Sequence, residues 1–523
     1  MKKVLDLNLG FSDAQTYLQR SNKQMFSEIF VKNYYLEDLL KPNIYFLIGE
    51  KGTGKTAYAT YLTNNEYKQN KSFLKFICGT DYEKFYELKR TGKIDISGYA
   101  DIWQCIILLI TAKSIANDNK LVESFSRSRI TDLLKAIDEY YNKAFSPEII
   151  NALKIVDQSG YAATLISKHA EVGAKQDNTT EFTEQKMQMN LYYISQQFSS
   201  CLNKIKLNKN INIFIDGIDV RPSQIPFDEY LNCIKGLLTS CWILNTELFA
   251  NTKDSKGKIK IILLLRPDIY NALNVQNSTN KLLDNSVYLE WRTTYSDYYS
   301  SALYQMAQKL LSYDQPDICT TDIWEKYFNW NTYLRNGRTS SNNAFKEFLK
   351  ISLSRPRDIQ IILKLLQVNM KQKGNHNDST FDYHTYISDK FQNDYSEYFL
   401  SSLKDQLSFY YSEDDYQYFK KFFDFFTGPQ FSFTKYQEAY NQYADYILEH
   451  ATNIPPYIEK PESFLQFLYD SNVVAAVEEN GRFFHFSYRE KSPTNISPEV
   501  PYDINMNYKF HYGLYKKTRL GRY

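Results

Sequence analysis

The chain has 523 residues, length for about three domains, and its 43% hydrophobic and 23% charged composition is that of an ordinary soluble protein. Its 62 basic and 60 acidic side chains leave a formal charge of +2, which removes the global electrostatic argument for a protein that coats nucleic acid and leaves only a local patch as a route to DNA. Six scattered cysteines form no CxxC pair and six dispersed histidines form no HExxH, so neither a disulfide framework nor a zinc ribbon is expected and no metal-ligand cluster appears. The 45 Tyr and 34 Phe are read as core-filling aromatics rather than as a base-stacking surface.

In chain order, the opening MKKVLDLNLGFSDAQ has no apolar core of signal-peptide length. Phe26, Ile29, Phe30, Tyr34 and Leu39 then recur at helical spacing, predicting one or two helices before the break at Lys41-Pro42-Asn43. Residues 44–48 read as a buried strand, and the pattern turns helical again from Lys55. SFLKFIC, residues 72–78, is a second strand candidate. Four helical stretches follow: IWQCIILLITAKSIA, ITDLLKAIDEYYNKAF, PEIINALKIV and EQKMQMNLYYISQQFSSCLNKI. They are interrupted at Ser146-Pro147 and by an exposed loop at AKQDNTTEF. The run from Ile102 is too short and too polar at its flanks to span a bilayer, so the chain is expected in the cytoplasm, away from the membrane. INIFID (211–216), KIKIILLL (258–265) and SVYLEW (286–291) are further strands; alternation with helices implies a parallel sheet covered on both faces. Residues 295–370 are helical again, and so is the chain beyond about 390. VVAAVEENGRFFHFSYRE, from Val473, reads as two strands around a hairpin tip at Asn480-Gly481.

The chemistry concentrates at Gly49-Glu50-Lys51-Gly52-Thr53-Gly54-Lys55-Thr56, followed by Ala57, which satisfies GxxxxGK[ST] between a predicted strand and a predicted helix. Glycines let such a loop turn its N–H groups toward a phosphate, and the helix N-terminus adds its positive dipole end. Lys55 has the reach for the β- and γ-phosphates, and the Thr56 hydroxyl is a ligand for Mg2+. Downstream, IFIDGID ends a strand on Asp216, suited to hold the Mg2+ water shell, with Asp219 three residues on as the water-orienting carboxylate. About 160 residues separate Thr56 from Asp216, more than one βα unit needs, so a helical insertion is expected over about 115–205. ILLLRPD puts Arg266 at a strand end, where ligands bind in open α/β sheets, and LSRPRD puts Arg355 and Arg357 before a helix. Each is a candidate for stabilising transferred-phosphate charge, and equally for pairing with Asp268 or Asp358.

Taken together, LIGEKGTGKTA, IFIDGID, ILLLRPD and SRPRD resemble the P-loop ATPases of the AAA+-related, STAND and origin-recognition-like group, over about residues 10–370. The Asp-Gly-Ile-Asp element is similar to the hhhDGhDE pattern of NACHT-type ATPases, with Val220 where that pattern has an acidic residue. The resemblance implies an α/β fold with a parallel-sheet core of ASCE type, ATP and Mg2+ as cofactors, and catalytic roles for Lys55, Asp216, Asp219 and the three arginines. It implies an N-terminal helical segment over 1–40, an ATPase core over 41–294, a helical lid over 295–385 and a winged-helix-like domain over 386–523. The basic, aromatic tail NYKFHYGLYKKTRLGRY, with Lys509, Lys516, Lys517, Arg519 and Arg522, is a phosphate patch, a solvated terminus or a strand returning to the wing.

Three readings follow. The first is a slowly hydrolysing ATPase switch that assembles with itself or with a separate effector protein; bacterial members of this class act in prophage or antiviral defence. The second is a DNA-associated ATPase of origin-binding or helicase-loading type. The third is a nucleotide-binding scaffold without hydrolysis. Since Asp219 stands without an acidic neighbour, slow hydrolysis and a switch are expected rather than a motor.

Overall fold

The computed structural model describes residues 1–77, 86, 90, 98–143, 184–222, 224–330, 332–333, 339–340, 344–478 and 483–520. The expectations at Cys78, Ser146-Pro147, PEIINALKIV, AKQDNTTEF, Asn480-Gly481 and Arg522 lie outside the described residues. The chain forms two compact units. One comprises Met1–Glu37, Gly49–Ala57 and Tyr288–Tyr523, and the other Asp38–Ile48 and Tyr58–Val287.

The second unit is built on a five-stranded sheet of β1 (Phe46–Ile48), β2 (Asn70–Phe76), β3 (Asn210–Asp216), β4 (Ile259–Leu265) and β5 (Ser286–Tyr288), in the order β2-β3-β4-β1-β5. The pairings of β2 with β3, β3 with β4 and β4 with β1 are all parallel. β4 is buried at all seven positions, and β3 at all but its first, as expected of strands covered on both faces. The strand predicted over 286–291 is shorter, ending at Tyr288.

β1 is only three residues long and pairs with Leu263, Leu264 and Leu265, so the first half of β4 needs other partners on that side. Asn245 supplies them: its amide accepts from the Ile261 N–H at 2.9 Å and donates to the Ile261 carbonyl at 2.9 Å. Next to it, the Lys260 ammonium donates to the carbonyls of Leu39 (2.7 Å) and Lys41 (2.6 Å), tying the turn that leads into β1 onto β4.

Helices Gly98–Ala116, Ile130–Lys143 and Glu184–Lys204 lie between β2 and β3, so the helical insertion begins before residue 115. Gly98–Ala116 packs against Glu184–Lys204 and against Phe227–Ile243. Trp103 donates to the Cys233 carbonyl at 3.1 Å and Ser240 to the Ala100 carbonyl at 2.6 Å. This corrects the expectation for the run from Ile102: Tyr99–Ala116 is long and apolar enough to cross a membrane, but 72% of it is buried inside the protein, as a core helix is.

The first unit opens with helices that include Lys23–Ile29, buried through Met25, Phe26 and Ile29. Further along, β6 (Thr332–Tyr333) and β7 (Thr339–Ser340) form a two-stranded ribbon. Its C-terminal part is a four-stranded antiparallel sheet of β8 (Gln430–Ser432), β9 (Val474–Val477), β10 (Phe484–Phe486) and β11 (Asn507–Phe510), in the order β10-β9-β11-β8. β8 had no expectation in the sequence, and the tail returns to the sheet as β11, the last of the three alternatives. Helices Phe433–His450 and Pro461–Asp470 connect β8 to β9. The aromatic residues fill this core: Phe422 meets Phe464 edge-on at 4.8 Å, and Phe431 lies 4.8 Å from Phe510.

Burial pushes Lys260 down from 10.5 to about 7. An unfolded chain keeps that proton to about pH 10.4. Between about pH 7 and pH 10 the unfolded state therefore binds more protons, and stability rises with pH; below about 7 both states are protonated and the burial penalty is felt in full. Urea titrations at pH 7 to 9.5 are expected to show this rise, and Lys260→Met to remove from it a slope of up to about 1.4 kcal/mol per pH unit.

Candidate functional site

The glycine loop follows Ile48, the last residue of β1, and runs into helix α1 (Lys55–Asn64). Gly52 (φ +89°) and Gly54 (φ +95°) occupy the left-handed region, so the two glycines allow a turn that other residues resist. Within the turn, the Lys55 ammonium folds back onto the loop's own start, 2.8 Å from the Gly49 carbonyl and 3.3 Å from that of Glu50. The Thr53 hydroxyl also donates to the Glu50 carbonyl, at 2.8 Å. Lys55 and Thr53 are buried, whereas Thr56 and Ala57 are half-buried.

The loop is gripped from outside by residues of the same compact unit. The Trp291 indole N–H donates to the Thr53 carbonyl at 2.7 Å, and Arg355 Nη1 donates to the Lys51 carbonyl at 2.9 Å. The Arg357 backbone N–H approaches the Gly52 carbonyl at 3.4 Å. Lys51 pairs with Asp405 at 2.9 Å, but Asp405 is 61% exposed, so this contact is worth about 0–1 kcal/mol. The Glu50–Lys491 pair at 2.8 Å is different, with side chains only 14% and 5% exposed. Removing one partner of a pair so buried costs about 3–5 kcal/mol.

Arg355 is a dedicated partner of Asp358, with Nε–Oδ2 and Nη2–Oδ1 both at 2.9 Å. Asp358 accepts further hydrogen bonds from the Tyr398 hydroxyl at 2.8 Å and the Leu353 N–H at 3.0 Å. Burial works against the Arg355 charge, but the adjacent Asp358 carboxylate outweighs it and holds the guanidinium protonated. Arg357 is half-buried beside Gly52.

The other compact unit holds Asp216, Asp219 and Arg266. Phe46, Leu263 and Ile215 share one row of the sheet, so Asp216 stands one step beyond that row and Ile48 and Leu265 two steps. Parallel pairing therefore brings the carboxyl ends of β1, β3 and β4 to one edge. Asp216 is buried, and its carboxylate accepts from the Gly217 N–H at 2.8 Å. Asp219 is half-buried and Val220 is 59% exposed. The Tyr230 hydroxyl reaches the carbonyls of Ile218 (2.9 Å) and Val220 (3.1 Å), fixing the turn between them. Arg266 is fully buried, with Nε 3.0 Å from Asp268 Oδ1 and Nη2 paired to Oδ2.

Sequence reasoning named the loop, the two downstream aspartates and the three arginines. It missed Trp291, Asp405 and Lys491, whose approach to the loop depends on long-range folding and leaves no local signal. For Arg355 and Arg266 the aspartate-paired alternatives, Asp358 and Asp268, are both present. Among the described residues no cluster of three or more His, Cys, Asp or Glu is arranged to hold a metal by itself. That is compatible with Mg2+, which takes one or two carboxylates and completes its shell with phosphate and water. A search against protein-family models finds no match for the chain, and none of the curated proteins matches it.

Gly217 sits at φ +97°, and a Cβ there would lie 2.3 Å from the Ile77 carbonyl oxygen. Gly217→Ala is expected to cost at least roughly 2 kcal/mol in urea unfolding, from backbone strain and collision together. Unchanged stability would mean that β2 and the turn after Asp216 are not this close.

Proposed function

We propose that the chain is a Mg2+-dependent ATP-binding protein of the P-loop class that hydrolyses slowly and uses its bound state as a conformational switch, acting on itself as an oligomer or on a separate effector protein. The observation that carries this reading is the loop: two glycines at positive φ between a strand and a helix, with Lys55 curled onto the carbonyls of Gly49 and Glu50. Such a turn leaves the Lys55 charge beside the N-terminal N–H groups of α1, a combination suited to a polyphosphate. The strand order supports it further, since β4 lies between the strand that precedes the loop and the strand that ends in Asp216, as in an ASCE-type core. The four-stranded C-terminal sheet with its helices fits the winged-helix-like domain and the preceding helices a lid, as the resemblance implies.

The Thr56 hydroxyl and the Asp216 carboxylate are the hard oxygen donors that would hold Mg2+, which when bound supplies charge neutralisation at the phosphate oxygens. Lys55 binds the phosphates, and Asp219 orients the attacking water. With the exposed Val220 beside it in place of a second carboxylate, Asp219 works alone, and turnover is slow. Arg266 and Arg355 are committed to aspartates, which leaves the half-buried Arg357 as the arginine we assign to sensing the terminal phosphate. The choice of ATP over GTP, and a role in antiviral defence, rest on the family resemblance.

The DNA-associated reading is tested at the C-terminal tail. Lys516 pairs with Asp389 at 2.7 Å and Lys517 with Glu397 at 3.2 Å, while Lys509 lies over the rings of Phe484 and Tyr512. Asp389 and Glu397 are 70% and 63% exposed, so both pairs are weak, and Arg519 is exposed. Deleting the tail would also remove β11, an interior strand of its sheet, so charge reversal is the cleaner test. We expect no salt-sensitive retardation of duplex DNA by the wild type. Retardation that disappears in Lys516→Glu/Lys517→Glu would instead favour DNA binding.

Mg-ATP is expected to raise the wild-type melting temperature, and Lys55→Ala to abolish that rise. Asp219→Asn is expected to keep it while phosphate release falls about a hundredfold. Equal, near-zero release from wild type and Asp219→Asn would leave only a nucleotide-binding scaffold.

A further inference from the structure

We propose that Lys491, 441 residues downstream of its partner, is a positioning residue of the nucleotide site that cancels the charge of Glu50; the inference rests on the nucleotide reading above. Glu50 is the only acidic residue in the loop and the second residue of the motif. A carboxylate so placed repels an incoming polyphosphate, and does so more strongly where protein replaces water. Its side chain lines a cleft shared with Thr53, Trp291, Arg355, Tyr488 and Lys491. Of the cations there, Arg355 is taken up by Asp358 and Arg292 by Glu290, whereas Lys491 Nζ lies 2.8 Å from Glu50 Oε1. The loop's other lysine outside the motif position, Lys51, is turned to Asp405.

Lys491 also acts through the backbone. The Glu50 carbonyl is one of the two that orient Lys55, so holding the Glu50 side chain steadies the residue that aims the phosphate-binding ammonium. Lys491 itself follows the helical turn Ser487–Glu490, which is anchored where the Tyr488 N–H donates to Asn472 Oδ1 at 2.7 Å. Nucleotide affinity is thereby coupled to the seating of this C-terminal turn. Any event that lifts the turn exposes Glu50 to the phosphates and weakens their binding. By reciprocity, bound nucleotide favours the seated turn.

The test is a double-mutant cycle on the full chain, with Mg-ATP binding measured by calorimetry for wild type, Lys491→Met, Glu50→Gln and the double variant. Lys491→Met is expected to weaken binding at least about tenfold, Glu50→Gln to tighten it about threefold or more, and the double variant to return to within about threefold of wild type. A merely structural role would leave the double variant as weak as Lys491→Met, and that result overturns the proposal, as does wild-type affinity in Lys491→Met. Should Lys491→Met fail to fold, Glu50→Gln decides alone: unchanged or weaker binding overturns the proposal. If wild type binds no nucleotide, or Lys55→Ala binds as well as wild type, the nucleotide reading itself has failed. Wild-type binding that Lys55→Ala abolishes but the cycle does not alter defeats only the role of Lys491.

Discussion

The sheet of this chain depends on the parallel register of β1, β4 and β3. Side-by-side parallel strands end on the same edge, and here the three ends are Ile48, Leu265 and Asp216. The residues immediately after them are the glycine loop, Arg266 and the turn carrying Asp219. The strand ends Ile48, Asp216 and Leu265, from distant parts of the chain, thus lie along one edge of the sheet. β1 is very short, and Asn245 makes with the Ile261 backbone the contacts a longer strand would have made, while Lys260 ties down the turn before β1.

The loop illustrates how a local motif is given one conformation. Its glycines permit many turns, and the choice among them is made by bonds that arrive from elsewhere. Lys55 closes the loop on itself from within, while Trp291, Arg355 and Lys491 hold it from outside. Of these, the buried Glu50–Lys491 pair carries the most consequence, because it is sheltered from water and because it involves the loop's only carboxylate. The exposed Lys51–Asp405 pair, at nearly the same length, contributes far less.

Charge placement also narrows the functional readings. Two of the three candidate arginines are bound to aspartates two or three residues further along the chain, and two lysines of the basic tail are bound to acidic residues of the helix Asp389–Leu407. A sequence displays such charges as available. Folding spends the two buried arginines, since a buried guanidinium without a carboxylate is far more costly than one with it, whereas the two tail lysines are held only by weak exposed pairs. Of the three candidate arginines, Arg357 is the one not paired to an aspartate two or three residues on, and it lies beside Gly52.

The sequence by itself determined the features written in neighbouring residues. The five runs read as strands are the five strands of the parallel sheet; the interior β1, β3 and β4 are nearly continuous apolar runs because both their faces are buried, whereas the edge strands β2 and β5 are only partly buried. Gly52 and Gly54 turn where the motif needs a turn, and the runs either side of Asn480-Gly481 pair antiparallel as β9 and β10. Only the tertiary structure decided the strand order, the pairing of β8 and β11 within one sheet, the commitment of Arg266 and Arg355, and the approach of Trp291 and Lys491 to the loop. Each of these joins residues, or selects between partners, on the basis of packing energy summed over the whole fold. A three-residue strand such as β8, or a single lysine following a helical turn, carries too little local pattern to announce its partner in advance.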